Sequence, residues 1–272
     1  MSLSKKTYVA ALVLVIAACT SSRELLAQQV MGARGLALGQ SVTALPDYQW
    51  SAFGNPALLD GSSNFVSFYG IRNYGFVELT DYAAVGNYNH SFGTTGLAFH
   101  RYGDDLFSET RIRLAYKYEY ENVHLGAAIN YSNIAFGGEY NSSNALGLDL
   151  GIATELTDGF WLGARTSNLN RPQYSDIDED LPREFALGIS YTIERVLLTS
   201  DLVKDVRFPV SYRGGIEYQI VDQVYLRTGI TTEPVTYAFG FGYRTAQWNF
   251  DLGAQNHIDL GISPAIGFKR NF

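Results

Sequence analysis

Apolar and polar residues alternate with a period of two through most of the chain after about residue 64. Between Phe185 and Ile193, large apolar side chains occupy every second position, and Ala, Gly, Ser and Thr fill the positions between them. The same alternation recurs over 237–244 and 248–253. Because successive side chains of a β-strand point to opposite faces, this pattern predicts an all-β protein.

Two architectures fit alternating strands. In a soluble β-sandwich the apolar face covers a core, whereas in a transmembrane barrel it faces lipid and the polar face lines the lumen. Three features favour the barrel: aromatic residues lie towards the ends of the apolar faces, Gly and Ala are frequent on the polar faces, and the strands run for about 10–14 residues, which suits a tilted membrane strand.

The connections between the predicted strands alternate in length. The predicted strands span 64–73, 80–91, 93–103, 109–121, 123–137, 143–157, 159–170, 183–194, 195–205, 208–221, 223–232, 236–246, 248–257 and 262–272. Tight turns are predicted at Phe92, Asn122, Asp158, Glu194–Arg195, Asp222 and Gln247, and longer connections include 74–79, 104–108 and 171–182. Outer-membrane barrels have short periplasmic turns and longer outer loops. We therefore predict a transmembrane antiparallel β-barrel of about fourteen strands in the bacterial outer membrane.

Composition and charge exclude several other classes of protein. Charged residues make up 17% of the chain, aromatic residues make up 14%, and there is one cysteine. The aromatic content argues against a disordered chain, and a single cysteine cannot form a disulfide scaffold. After residue 18 no apolar run reaches the roughly 20 residues of a membrane helix. The net charge of -7 argues against a nucleic-acid partner.

The N-terminus has the features of an export signal. Lys5 and Lys6 precede an apolar run over 9–18, which is too short to span a bilayer. Cleavage after Ala27 is favoured, and a lipobox that would lipidate Cys19 is the alternative. The predicted organisation is a signal peptide over 1–27, a plug-like segment over 28–63 and a barrel over 64–272.

The segment over 28–63 is small and apolar rather than alternating. It contains turn signals at Pro46 and at Asn55–Pro56, and we predict that it lies inside or beneath the lumen. The alternative for this segment is a flexible periplasmic tail. The element 55–59 either only shapes the entry of the chain into the first strand or, with Trp50 and Phe53, forms a plug that gates or seals the lumen. The candidate plug residues are Trp50, Phe53, Asn55, Pro56 and Leu58.

Charged residues on the polar faces of the strands are predicted to point into the lumen. These candidates are Arg111, Arg113, Lys117, Glu119, Asp149, Arg213, Glu217, Arg227, Arg244 and Asp251. Because both signs occur, they could form internal ion pairs, a polar conduit or an arginine-rich anion site. No histidine has the spacing of a metal-binding motif. Ser, His and Asp all occur in the chain, but their presence alone does not indicate a catalytic triad, which is defined by geometry. We therefore predict a non-enzymatic protein with no cofactor and no metal site.

Several short motifs resemble those of the PorV/PorQ proteins, which belong to the wider FadL-like outer-membrane superfamily. The motifs cover 32–39, 44–47 and 55–59 near the N-terminus and 212–218, 225–229, 239–243 and 250–253 near the C-terminus. The resemblance implies a fourteen-stranded barrel whose N-terminal segment enters the lumen.

The resemblance also implies two functions, because FadL-like members carry hydrophobic compounds and PorV/PorQ proteins act in type IX secretion. Short loops and a filled lumen favour a partner barrel of a secretion or surface-assembly complex. The alternative is a transporter of small hydrophobic compounds, which predicts an apolar pocket near the plug and a gap in the wall where a strand is kinked. Expected partners are outer-membrane lipid and lipopolysaccharide, with secretion-complex proteins or a hydrophobic small molecule according to the function.

Overall fold

The computed structural model describes residues 30–137 and 142–272 of the 272-residue chain. The predicted signal peptide, its cleavage site and Cys19 lie outside the described residues. The strands are β1 (Phe65–Arg72), β2 (Thr80–His90), β3 (Gly93–Gly103), β4 (Phe107–Tyr120), β5 (Val123–Phe136), β6 (Ser143–Thr157), β7 (Phe160–Thr166), β8 (Glu184–Ile193), β9 (Val196–Asp205), β10 (Val210–Val221), β11 (Val224–Thr232), β12 (Val235–Arg244), β13 (Trp248–His257) and β14 (Gly261–Asn271).

The strands form one closed antiparallel barrel. Each strand pairs with its neighbours in sequence, and β1 pairs with β14 to close the sheet. Closure removes the free edges that an open sheet would expose. The prediction of a fourteen-stranded antiparallel barrel is confirmed. The end of the barrel that carries the connections 73–79, 104–106 and 167–183 is called the outer end.

The main departure from the predicted strands lies in β7, which ends at Thr166 instead of residue 170. The backbone N–H of Ser167 still donates to Glu184 on β8, at 2.9 Å. Asn168 then adopts a left-handed φ of 54°, and its N–H donates to the inward-facing Asp149 carboxylate at 2.8 Å. The chain therefore leaves the sheet at the point where the Asp149 side chain, inside the lumen, accepts a hydrogen bond from the backbone of Asn168.

The outside of the barrel is apolar. Leu97, Leu114, Leu187 and Phe239, for example, are each more than half exposed. Exposed tyrosines lie near the tight turns (Tyr88, Tyr118, Tyr191, Tyr218 and Tyr243) and towards the outer end (Tyr82, Tyr131, Tyr212 and Tyr237). An apolar band between two aromatic girdles is the surface of an outer-membrane barrel, and the protein is placed in the bacterial outer membrane. Within the described ranges, no helix is long and apolar enough to cross a membrane.

The hydrophobic core lies inside the barrel, around residues 30–63, here called the plug segment. This segment contains a short helix, α1 (Ala33–Ala37), and a 3-10 helix at Pro56–Leu58. Its largest apolar side chain, Trp50, is fully buried and packs with inward-facing residues of β1 and other strands. The core is therefore shared between the plug segment and the inner wall.

Pairs of glycines on neighbouring strands make room for the plug segment. The cross-strand pairs are Gly126–Gly151, Gly163–Gly188, Gly215–Gly229 and Gly240–Gly253. A Cβ atom at Gly215 or Gly229 would collide with the backbone of Leu38 and Gly39, and one at Gly163 would collide with the backbone of Thr43. The Gly-rich polar faces of the strands therefore form the seat of the plug segment.

Candidate functional site

The carboxylate of Glu217 on the inner wall binds three arginines, one of which belongs to the plug segment. Arg34 of α1 donates from Nε and Nη2 to Glu217 of β10, each at 2.9 Å. Arg227 Nε reaches the same carboxylate at 2.5 Å, and Arg244 Nη2 reaches it at 3.2 Å. Arg227 also donates to Asp251 at 2.7 Å. This network joins the start of the plug segment to four strands.

Two further wall residues bind the backbone of the plug segment. Oδ2 of Asp201 accepts the N–H groups of Val42 and Thr43, both at 2.9 Å. Arg113 donates to the carbonyl of Phe53 at 3.1 Å and pairs with Asp149 at 3.2 Å. The middle of the plug segment is thus held from opposite sides of the lumen.

The end of the plug segment is held by two lysines. Lys117 donates to the carbonyl of Leu59 at 2.9 Å, and Lys269 pairs with Asp60 at 3.0 Å. Burial opposes ionisation of Asp60, but hydrogen bonds from Ser62 and the ammonium of Lys269 outweigh it and hold the pKa of Asp60 below its ordinary value. Asp60 is therefore an ionised anchor at neutral pH.

The five candidate plug residues lie together in the lumen. The Asn55 side chain accepts from the N–H of Ala57, which caps the 3-10 helix, and donates to the carbonyl of Thr43 at 2.8 Å. Pro56 begins that helix and Leu58 ends it, both buried. Trp50 and Phe53 pack with ring centroids 6.4 Å apart. Asn55 thus both shapes the chain before the first strand and ties it to the interior.

Most of the predicted lumen charges meet partners across strands. Two further pairs each join residues of the same strand, β4: Lys117 pairs with Glu119 near the tight turn that follows the strand, and Arg111 pairs with Glu109 at 3.3 Å towards the outer end. Arg213 faces the space above the plug segment. The arrangement fits the hypothesis of internal ion pairs at the level of the plug.

A cavity of about 330 Å³, here called the vestibule, lies between the plug segment and the outer connections. Tyr174 and Leu181 of the 167–183 connection pack against Ile134 and Ala145 and cover one side of it. Burial raises the pKa of Tyr174, so its hydroxyl stays protonated at neutral pH. The upper vestibule is therefore partly apolar.

Neutral polar side chains lie deeper in the vestibule, and sequence analysis did not identify them. Asn130 and Ser132 of β5 are each 1% exposed and line the cavity. The alternation along β5 could identify them, because Asn130 and Ser132 lie on the polar face of the strand and Ile129 and Tyr131 lie on its apolar face. A neutral side chain on the polar face of a strand carries no sequence signal that marks it as part of a site.

The wall beside the vestibule is interrupted where β7 ends. Above that point residues 167–170, here called the break segment, replace the regular ladder beside β6. Leu169 N–H donates to the carbonyl of Leu148 at 2.8 Å, and the Asn170 side chain bonds Leu148 N–H at 2.9 Å and the Leu146 carbonyl at 2.8 Å. Hydrogen bonds of the Asn170 side chain thus replace part of the backbone ladder beside β6.

An apolar groove of about 660 Å³ lies on the outer face of the wall next to the break segment. Its base includes the small residues Ala164 and Thr166, and Leu150 and Phe185 are among the residues that flank it. Asn168, two residues further along the chain, lines the vestibule on the other side. The vestibule and the groove therefore approach the same stretch of wall from opposite sides.

No protein-family model and no curated protein matches this chain. Among solved structures, the Pseudomonas putida toluene transporter TodX superposes with a TM-score of 0.71 at 12% identity, covering 92% of this chain and 100% of that one. The CymD monoaromatic hydrocarbon channel gives 0.67 at 12% identity over 91% and 99%. A Pseudomonas aeruginosa FadL homologue gives 0.57 at 13% identity over 89% and 95%. The protein is thus an outer-membrane β-barrel with the fold of the FadL-type channels.

Proposed function

We propose that the protein conducts small hydrophobic compounds into the outer membrane. The observation that carries this proposal is a partly apolar vestibule of about 330 Å³ that ends at a fixed plug segment and adjoins an interruption of the wall. Such a pocket suits a ligand of modest size. The solved structures of similar fold that are described as toluene or monoaromatic hydrocarbon channels support the same proposal.

The route follows from what blocks the barrel axis. Arg34, Asp201 and Asp60 belong to the contacts that fix the plug segment along its whole length. Breaking buried ion pairs by removing one partner is costly, so passage straight through the plug is disfavoured. The break segment offers a lateral path, since a hydrophobic compound that passes it reaches the apolar groove and the lipid.

A reversible lock on the break segment tests this route. In the test variant, cysteines replace Leu148 and Leu169, whose backbones are hydrogen-bonded across the interruption. In the matched control variant, cysteines replace Phe239 and Ala254, which face each other in the regular ladder of β12 and β13. We expect oxidation to reduce uptake of labelled toluene by cells that express the first pair and reductant to restore it. Mass spectrometry verifies both disulfides.

The possible outcomes separate the route from the function. Uptake that is unaffected by the lock at the break segment would contradict the lateral route. Uptake no higher than in cells without the protein would contradict transport itself.

The partner-barrel function in type IX secretion stays a prediction from the sequence motifs. Extraction in mild detergent followed by mass spectrometry of co-eluting proteins tests it directly. Secretion components in stoichiometric amounts would favour that function over transport, whereas a lone barrel that carries a lipophile would favour transport.

A further inference from the structure

The floor of the vestibule carries buried polar atoms without hydrogen-bond partners among the described residues. Both the amide nitrogen and the amide oxygen of Asn130 are unpaired, as is the hydroxyl of Ser132. Both side chains are 1% exposed and line the cavity. A buried polar group that lacks a partner is costly, and nearly all such groups in proteins are paired with protein, water or ligand. These atoms are thus available to a ligand.

Charges around the floor are balanced. Arg165 pairs with Glu184 at 2.9 Å, as Arg113 does with Asp149. Arg213, which lines the cavity, has no hydrogen-bond partner for its Nε and Nη1 among the described residues, but the carboxylates of Asp201, opposite it in the register of β9 and β10, and of Glu184 lie close enough to act on its charge. An anionic ligand would enter a site whose cations already have carboxylates close by. The charge pattern therefore favours a neutral ligand.

The amide group of Asn130 has both an unpaired donor and an unpaired acceptor among the described residues, which narrows the class of ligand further. Its NH₂ group donates and its carbonyl oxygen accepts, and the Ser132 hydroxyl can do either. A hydroxyl group on the ligand can accept from one of these atoms and donate to another at the same time. A carbonyl oxygen can only accept, and a hydrocarbon can do neither.

The upper part of the cavity fits the remainder of such a molecule. Phe107, Ile134, Tyr174 and Leu181 line it above the floor, and its volume of about 330 Å³ holds one aromatic ring with small substituents. A molecule with a polar end at the floor and a ring against these side chains would satisfy both regions.

We propose that the vestibule is a binding site for neutral, single-ring phenols, with the phenolic hydroxyl on Asn130 and Ser132. This inference rests on the proposed function and narrows its substrate class. A hydrocarbon that reaches the floor would exclude water from these polar atoms without offering them hydrogen bonds of its own. For this reason, a site that binds a ligand hydroxyl discriminates more strongly against ligands without it than an apolar site discriminates between ligands that differ by a methyl group.

Calorimetry on the full chain in detergent tests the proposal with three probes of similar shape: p-cresol, p-xylene and 4-methylbenzoate. We expect the wild type to bind p-cresol about tenfold more tightly than p-xylene, because p-xylene leaves the floor unpaired. Asn130→Leu should abolish this preference and should keep or improve binding of p-xylene. Asn133→Leu, an outward-facing change on the same strand, should leave the preference intact.

Ser132→Ala is a second, smaller change for the case in which Asn130→Leu fails to fold, and it should reduce the preference for p-cresol. Equal affinities for p-cresol and p-xylene in the wild type, together with measurable toluene uptake, would overturn the phenol site alone. Tightest binding of 4-methylbenzoate would overturn the argument for a neutral ligand. Absence of both binding and uptake would overturn the proposed function as well.

Discussion

At the scale of single residues, buried charge holds the plug segment in place. A buried ion pair is not necessarily more stabilising than a well-packed apolar pair, but losing one member leaves an uncompensated charge. Glu217 is the extreme case, since one carboxylate balances Arg34, Arg227 and Arg244. The plug and the wall are therefore coupled through a few side chains.

Replacing Glu217 with Gln tests this coupling. The substitution keeps the shape but leaves three arginines with less compensation, so we expect a loss of about 3–5 kcal/mol in the free energy of unfolding. Denaturant unfolding in detergent measures it, with Glu121→Gln in an exposed turn as the control. A loss no larger than that of the control would show that the network does not stabilise the fold.

Asp60 gives the protein an acid-sensitive contact. Its pKa is lowered in the folded state, so the unfolded chain binds its proton more readily, and the contribution to stability is full above the ordinary aspartate pKa of about 3.9 and is lost as the pH falls below it. We expect the wild type to unfold at a higher temperature than Asp60→Asn at pH 7 and the difference to shrink below about pH 4. A difference that stays constant down to pH 3 would contradict this role.

At the scale of elements, the seat of the plug segment depends on glycines in the strands, because the plug backbone contacts the wall at positions that have no side chain. Gly215→Val would push a side chain into the backbone of Leu38, whereas Gly214→Val changes the adjacent, outward-facing position of the same strand. We expect the first variant to displace the plug segment and to raise ion conductance in planar bilayers. The second variant should conduct like the wild type. Equal conductance in both variants would contradict the seat.

The strands were predictable because a period of two is a local property of sequence. The end of β7 was not, because it depends on the N–H of Asn168 finding Asp149 on another strand. The same limit applies to the site: the inward charges followed from alternation, but Arg34 and Glu217 are 183 positions apart, and nothing local pairs them. Asn130 was missed because a neutral amide on a polar face has no distinctive signature until its lack of partners is seen.

At the scale of the whole molecule, the alternation of tight turns and longer connections predicts which end of the barrel meets the cell exterior. Leu106 lies in an exposed connection of the outer end, and Glu121 lies in a tight turn at the opposite end. We expect a membrane-impermeant maleimide to label Leu106→Cys in intact cells, with the parent protein as the background control. Glu121→Cys should be labelled only after permeabilisation. Labelling of Glu121→Cys in intact cells would contradict this orientation.

The glycine seat also bears on how the molecule is made. The plug segment fits the inner wall so closely that backbone meets backbone at Gly163, Gly215 and Gly229. The same wall is closed by the pairing of β1 with β14, so the plug segment is enclosed by a continuous sheet. A barrel without the plug segment would leave its glycine-lined inner wall unpacked, and we expect deletion of the segment to lower the yield of assembled barrel as well as to raise its permeability.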